Sequence, residues 1–203
     1  MTVDAPGAPS APARFSPLGE WQEAFDRLPA GFQVRELPFL TQLTLRVTAD
    51  SPAAKAVESV LGLELPSASR AELSGEVKAL WLGPDEWLLV APADTGAPLV
   101  EKLRSAIGEE FATVTDVSAQ RTVLSLRGNL TREVLAQGCA IDLDPRVAPV
   151  GACYTTLLAQ TGITLVVRAE AASSAWLLVR SSFAPYAAAW LVDAATEYGG
   201  GTG

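Results

Sequence analysis

Histidine is missing from the whole chain of 203 residues. Histidine is the usual general base beside a serine or cysteine nucleophile, so a Ser-His-Asp or Cys-His site is not expected. Lysine replaces it in some enzymes, but the lysines here are Lys55, Lys78 and Lys102. Helical spacing predicts that Lys55 and Lys102 lie on exposed helix faces.

Cysteine is scarce, with only Cys139 and Cys153 in the sequence. Two cysteines make neither a disulfide framework nor a zinc site, and no histidine is present to complete a metal site with them. No residue beside either thiol in the sequence would activate it. We therefore expect two small buried side chains in a reducing compartment, and no bound metal.

Basic runs and long apolar runs are also missing. The formal net charge is −8, which argues against binding to nucleic acid or to an anionic membrane surface. The most apolar stretch, residues 157–167, is interrupted by Gln160, Thr161 and Gly162 and is too short to span a bilayer. The start, "MTVDAPGAPSAPARF", lacks the pattern of a secretory signal. These features predict a cytoplasmic protein with no nucleic-acid or membrane partner.

The two ends of the chain differ in composition from the rest. Residues 1–17 are rich in proline and alanine, which predicts a disordered arm. Residues 197–203 form a glycine-rich tail that is expected to be frayed. The folded domain between them is predicted to consist of two halves, residues 18–110 and 111–196.

A repeated tetrapeptide is the first indication of two similar halves. The letters WLLV occur at residues 87–90 and 176–179, and each copy is followed by a proline that opens an apolar helical pattern. In the first half, residues 42–48 alternate as a strand does. A helix follows from the N-cap Ser51 to Gly62, then a hairpin turning at Gly83-Pro84-Asp85, and then a helix that stops at Gly108.

The second half repeats this β-α-β-β-α order with one additional strand. Residues 122–128 read as a strand, and Asn129 or Thr131 is a candidate N-cap for a helix that stops at Gly138. The segments "YTTLLAQ", "ITLVVRA" and "AWLLVRS" read as strands, and a helix through Trp190 ends the half. The sequence predicts an internally duplicated α+β fold, with antiparallel sheets packed against helices.

The clusters of acidic and glycine residues have structural explanations. "GPDEW" and "AIDLDPR" offer Asp85 with Glu86 and Asp142 with Asp144, but the chemistry of turns accounts for both. "GNLTREVLAQG" lacks the closely spaced glycines of a phosphate-binding loop. We expect no active site on this chain.

The aromatic residues suggest a contact with another protein. Trp81, Trp87, Trp176 and Trp190 fall inside regular elements and are expected in or near the core. The run "ALWLGPDEWLLVA" is apolar at nearly every position, so the second half of the domain or a partner protein must cover both faces. The candidate residues for such an interface are Trp21, Phe25 and Trp81. The alternative for Trp21 and Phe25 is a short helix folded back on its own core.

Several motifs together resemble a known family. The segments "LWLGPDEWLLVAP", "TDVSAQRTVLSLRG", "REVLAQGCAIDLDPRV" and "WLLVRSSFAPYAAAWL" are similar to the gamma subunit family of heterotetrameric sarcosine oxidase, in the same order over most of residues 16–195. Gly128-Asn129 stands where family members usually carry Gly-Pro, and Ala119 is often a different residue. The resemblance implies an aminomethyltransferase folate-binding-domain-like fold, which is itself internally duplicated.

The resemblance also implies an assembly and a reaction. The complex oxidatively demethylates sarcosine to glycine, with tetrahydrofolate as the one-carbon acceptor and hydrogen peroxide as a product. The alpha subunit carries NAD and a folate site, the beta subunit carries FAD and a covalently held FMN, and the delta subunit carries zinc. The gamma subunit carries no prosthetic group. A non-catalytic, structural role is therefore expected for this chain.

Two alternatives remain open. The first is a stand-alone folate-binding protein of the same fold, because Cys153-Tyr154 matches part of a Lys-Gly-Cys-Tyr-type motif whose lysine and following glycine and glutamate are missing here. The second is an enzyme with an anion pocket built from Arg121, Arg127 and Arg168. Convergence of these guanidiniums in a deep cleft would favour that enzyme, and a flat apolar face would favour a subunit.

Overall fold

Residues 14–199 form ten strands and five α-helices, in an order that repeats once. The structure is a computed structural model that describes residues 14–199. A short helix, α1, covers Gln22–Asp26. The first half then contains β1 Gln33–Leu37, β2 Thr41–Val47, α2 Pro52–Leu61, β3 Ala71–Glu72, β4 Lys78–Gly83, β5 Glu86–Ala91 and α3 Gly96–Ile107. The second half contains β6 Ala112–Asp116, β7 Arg121–Arg127, α4 Thr131–Ala136, β8 Cys153–Leu158, β9 Thr161–Val167, β10 Ser174–Arg180 and α5 Ala184–Ala195.

The strands form two antiparallel sheets of five strands each. The first sheet has the order β3-β4-β5-β2-β6, and the second has the order β8-β9-β10-β7-β1. The two orders correspond strand by strand, except that each half places its first strand at the edge of the other half's sheet. The exchange is explicit in the pairing, where β1 pairs with β7 and β6 pairs with β2. The α+β class and the antiparallel sheets are as the sequence predicted.

The two strands that carry WLLV, β5 and β10, hold corresponding places in their sheets. The two copies of the tetrapeptide nevertheless do not superimpose residue by residue. Trp87 and Leu89 of β5 pack with α2 and α3, whereas Leu178 of β10 packs between the sheets with Trp176 beside it. Neighbouring side chains on a strand point to opposite faces, so the two WLLV copies are out of phase by one residue. The letters that suggested the duplication are therefore a coincidence, and the order of elements is its real trace.

Helices cover the outer face of each sheet, and the inner faces pack together. The outer core of the first sheet includes Val57 and Leu103, and that of the second includes Leu135 and Leu191. Between the sheets lie the fully or almost fully buried residues Leu80, Leu88, Val90, Val123, Cys153, Val166 and Leu178. Apolar contacts therefore form three layers, one on the outer face of each sheet and one between the sheets. Each sheet is stabilised by apolar burial on both of its faces.

The predicted arm is in part a structured segment. Arg14 forms an ion pair with Asp94 at 2.7 Å, and the Ser16 hydroxyl donates a hydrogen bond to Glu36 of β1. Residues 14–17 therefore contact the folded domain, contrary to the prediction for this part of the arm. Residues 1–13 of the predicted arm, and residues 200–203 of the predicted tail, lie outside the described residues.

Helix α4 begins differently from the prediction. Its N-cap is Leu130, and neither Asn129 nor Thr131 caps it with a side chain. The Thr131 hydroxyl is instead buried, and no residue of the described part of the chain forms a hydrogen bond with it. The backbone N–H of Leu130 donates to the Gly31 carbonyl at 3.0 Å, so the turn before α4 is held by the loop that precedes β1.

Helix α2 begins as predicted, and its cap gives a testable stability effect. The Ser51 hydroxyl accepts a hydrogen bond from the Ala54 backbone N–H at 3.1 Å. Ser51→Ala leaves that N–H without its partner and is expected to lower the free energy of unfolding by about 1 kcal/mol. Ser105→Ala, on the exposed face of α3, is the matched control and should change it by less than about 0.5 kcal/mol. Urea unfolding followed by circular dichroism measures both, and equal effects would contradict the capping role.

Candidate functional site

The predicted interface residues differ in how much surface they present. Phe25 is only 5% exposed and belongs to the outer core of the second sheet. Trp21 packs beside it, with ring centroids 6.4 Å apart, and is half-buried. Helix α1 is thus folded back on its own core, and Phe25 has little surface left for a partner. Trp81 is half-buried against the outer core of the first sheet, so Trp21 and Trp81 stay candidate interface residues.

The apolar run "ALWLGPDEWLLVA" is covered largely by the chain itself. Leu80, Leu88 and Val90 face the second sheet, while Trp87 and Leu89 face α2 and α3. The Trp87 indole N–H donates to the Pro66 carbonyl at 2.9 Å, which satisfies its only polar group. Of the two coverings that the sequence left open, the second half of the domain covers the face of Leu80, Leu88 and Val90, and helices of the first half itself cover the opposite face.

The acidic clusters are occupied by ion pairs and turns. Asp144 accepts from Arg146 Nε at 2.8 Å, and this hydrogen bond is the main reason that the pKa of Asp144 falls to about 2. Glu86 pairs with Arg46 across β5 and β2, also at 2.8 Å. A carboxylate held in its charged form by a neighbouring arginine is poorly suited to accept and release protons near neutral pH. The hydrogen bond from Arg146 thus argues against Asp144 as a general acid or base.

Both cysteines are buried, and their low reactivity is testable. Burial raises the pKa of the Cys153 thiol to about 12 from 9.0. We expect neither thiol to react with iodoacetamide in the native chain at pH 8, and both to react in urea, as read by mass spectrometry. Because the unfolded thiol ionises first, the contribution of Cys153 to stability is complete below pH 9 and is lost as pH rises toward 12. Rapid native labelling of Cys153 would contradict this prediction.

The three arginines of the proposed anion pocket do not converge on one point. Arg121 and Arg127 lie at opposite ends of β7, about 20 Å apart along an extended strand. Burial and the nearby Arg180 lower the pKa of Arg121, in that order. Arg121 opens into a cleft of about 640 Å³, which also contains Asp116 and the start of α3 at Gly96. Asp116 there accepts hydrogen bonds from the backbone N–H and hydroxyl of Ser118.

Arg127 and Arg168, in contrast, open into one cleft. It has a volume of about 370 Å³ and is lined by Leu37, Ser125, Arg127, Arg168, Ala169, Ser173, Ser174 and Trp176. The guanidinium carbon of Arg168 lies 3.9 Å from the ring centroid of Trp176. Burial lowers the pKa of Arg168, and the charge of Arg127 lowers it further. The structure therefore confirms two of the three arginines as neighbours and removes Arg121 from the group.

Sequence reasoning missed the contact of Trp176 with Arg168 and the exposure of Phe111. Trp176 lies beside the core between the sheets, as expected, but it is half-buried at the cleft, where it stacks on Arg168. Ser174 and Trp176 are two residues apart on β10, so their side chains point to the same face. This spacing was the signal available in the sequence. Phe111 is 93% exposed, and neither the composition nor the periodicity of its segment indicated this; Phe15 is 87% exposed, in agreement with its place in the proline- and alanine-rich arm.

Residues 14–199 contain neither a candidate metal site nor a candidate membrane-spanning helix. No group of three or more His, Cys, Asp and Glu residues in this part of the chain could hold a metal ion. No helix among these residues is long and apolar enough to cross a membrane.

Comparison with known sequences identifies close relatives. The family described as "Sarcosine oxidase, gamma subunit family" matches residues 46–197. The sarcosine oxidase subunit gamma of Corynebacterium sp. (strain U-96) is 38% identical over 169 residues, which is 81% of this chain and 80% of that protein. The subunit gamma of an Arthrobacter species is 37% identical over 168 residues, 81% of this chain and 80% of that protein.

Comparison with solved structures gives the same relatives and a wider fold. A chain of the heterotetrameric sarcosine oxidase from Corynebacterium sp. U-96, in complex with pyrrole 2-carboxylate, matches with a TM-score of 0.85 and 36% identity. The match covers 94% of this chain and 98% of that one. The glycine cleavage system aminomethyltransferase T from Bartonella henselae matches with a TM-score of 0.63 and 15% identity, over 87% of this chain and 49% of that one. The expected folate-binding-domain-like fold is thereby confirmed.

Proposed function

The chain belongs to the sarcosine oxidase gamma subunit family, and from that premise we propose that it is a structural, non-catalytic subunit of a heterotetrameric oxidase. The observation that supports this proposal most is the match to a chain of such a heterotetramer, over 94% of this chain and 98% of the other at a TM-score of 0.85.

The proposed partners are alpha, beta and delta subunits, and the proposed complex is cytoplasmic. In this assembly the partners hold FAD, FMN, NAD, tetrahydrofolate and zinc, and this chain holds no cofactor. The complex would demethylate sarcosine oxidatively to glycine, pass the one-carbon unit to tetrahydrofolate and form hydrogen peroxide. The name of the curated relatives, sarcosine oxidase subunit gamma, supports the enzyme class and the subunit assignment.

The state of the reactive groups favours a structural role over a catalytic one. Histidine is absent from the sequence, both thiols are buried, and the acidic clusters are engaged by Arg46 and Arg146. An acid–base catalyst needs a group whose proton affinity matches the working pH and which a substrate can reach. Burial keeps both thiols away from a substrate, and the hydrogen bond from Arg146 lowers the pKa of Asp144 to about 2, so these groups are poor candidates for that role.

Co-expression of the four subunits tests the proposal. We expect a yellow, flavin-containing complex that includes this chain and forms peroxide when sarcosine is added. Leaving out this chain should greatly reduce the yield of the assembled complex. Asp144→Asn and Cys153→Ser should leave kcat per bound flavin unchanged, because neither residue takes part in the reaction.

Two results would contradict the proposal, one from this co-expression and one from purification out of the native host. A loss of kcat per flavin with Asp144→Asn, at full flavin content and full assembly, would place catalysis on this chain. Recovery of a colourless monomer from the native host without any partner would favour the stand-alone folate-binding protein of the same fold. Equilibrium titration of that monomer with tetrahydrofolate would then decide the alternative.

A further inference from the structure

The inner face of the second sheet carries a cluster of positive charge where the first sheet does not cover it. Ser174 on β10 is paired with Arg127 on β7, and on the other side the Arg168 backbone N–H donates to the Ser174 carbonyl at 2.7 Å. The two arginines therefore flank Ser174. Arg35 on β1 is paired with Ser125, and Ser125 with Trp176, so a third arginine lies on the same face.

The positive charges in this cluster have no internal counter-ion. Among residues 14–199, no carboxylate forms an ion pair with Arg35, Arg127 or Arg168. The Arg168 Nη1 atom is buried without a hydrogen-bond partner in this part of the chain. A buried donor without an acceptor destabilises a fold, and two neighbouring guanidiniums repel each other. In a chain of net charge −8, this local excess of positive charge is best explained by an external anion.

The shape of the cleft indicates which kind of anion fits. Trp176 lies against one face of the Arg168 guanidinium, so an anion can approach only its N–H edge, where a carboxylate forms two parallel hydrogen bonds. The hydroxyls of Ser125 and Ser174 line the same cleft and offer further donors. Leu37, Ala169 and Trp176 make part of the wall apolar, which suits a carbon skeleton better than a fully hydrated inorganic ion.

We propose that the cleft between Arg127, Arg168 and Trp176 binds an organic carboxylate. The carboxylate comes either from a small free acid or from an acidic side chain of a partner subunit. Both sources present the same planar, bidentate acceptor to the guanidiniums. The second source rests on the proposed function, whereas binding of a free acid does not.

Titration of the full-length chain with glutarate at low ionic strength tests the proposal. We expect saturable binding by calorimetry, with a larger Kd for inorganic phosphate. Arg127→Gln and Arg168→Gln should each raise the Kd for glutarate by about tenfold. Arg27→Gln removes the same charge from an exposed ion pair with Glu23, and should change the Kd by less than about twofold. Arg127 is exposed, so its variant is expected to fold even if the half-buried Arg168 does not tolerate change.

The assembled complex then separates the two sources. Equal binding of glutarate to the chain and to the complex indicates a free acid. Binding to the chain alone, with weaker assembly of the Arg127→Gln variant, indicates a carboxylate of a partner. If the chain does not assemble at all, the titration still decides whether the site exists. Absence of saturable glutarate binding, tighter binding of phosphate, or equal effects of all three variants overturns the proposal.

Discussion

Gly128→Ala is expected to lower the free energy of unfolding by about 3 kcal/mol or more, which removes a large part of the stability of a typical domain. Gly128 has a φ of +123°, a conformation that side chains other than that of glycine rarely adopt. A Cβ placed there would lie 1.9 Å from the Gly31 carbonyl oxygen and 2.5 Å from the Gly31 carbonyl carbon. These atoms belong to the backbone, so no side-chain rotation relieves the clash.

The clash also disturbs a contact between the two halves of the chain, at the loop before β1 and the start of α4. The Gly31 carbonyl accepts from the Leu130 N–H at 3.0 Å, which ties the loop before β1 to the start of α4. Moving Gly31 away from a new methyl group breaks this hydrogen bond and disturbs β1, the strand that the first half contributes to the second sheet. Urea unfolding by circular dichroism measures the loss, and soluble yield measures its effect on folding.

Two other glycines separate the causes of the effect. Gly62→Ala has the same kind of positive φ, +67°, with no atom within 4 Å of the added Cβ, so it isolates backbone strain and should cost about 1 kcal/mol. Gly162→Ala has neither a positive φ nor a near neighbour, and should be close to neutral. If Gly128→Ala cost no more than Gly62→Ala, the close approach of Gly31 would not matter for stability.

Elements set by local signals could be predicted from the sequence. Helix α2 lies between its N-cap Ser51 and its C-cap Gly62. Both signals are local, because a side-chain cap and a left-handed glycine each depend on only a few neighbouring residues. The hairpin of β4 and β5 follows from turn chemistry at Pro84 in the same way. The exchange of β1 and β6 was not predicted, because a pairing between distant segments leaves no local signal. Strand β1 shows only one buried side chain, Val34, in a weak pattern.

The candidate anion site was predictable in composition but not in arrangement. The sequence offers Arg121, Arg127 and Arg168 as equivalent strand residues. The register of β7 with β10, and of β10 with β9, decides that Arg127 and Arg168 flank Ser174 while Arg121 lies at the far end of its strand. A one-residue shift in register would send each arginine to the opposite face. Side-chain direction in a sheet thus depends on pairings that sequence periodicity alone does not determine.

Trp87→Ala is the second change with a large expected effect, at about 3–5 kcal/mol of lost stability. The Trp87 side chain is only 3% exposed and packs in the outer core of the first sheet. Truncation leaves a cavity and also leaves the Pro66 carbonyl without the indole N–H that it accepts at 2.9 Å. Trp87→Phe retains most of the packing and isolates the hydrogen bond, so it should cost about 1 kcal/mol plus a smaller packing loss.

Trp176 is the matching residue of the second WLLV copy. The same substitution there tests whether equivalent side chains of the two copies point to opposite faces of their sheets. If the WLLV copies were equivalent in space, Trp87→Ala and Trp176→Ala would lower the free energy of unfolding by similar amounts. Because Trp176 instead lies half-buried at the cleft and stacks on Arg168, its truncation should cost less than half as much as that of Trp87. Urea unfolding of both variants, read by circular dichroism, compares them directly. Equal losses would place the two tryptophans in equivalent environments and contradict the opposite orientation of the two strands' side chains.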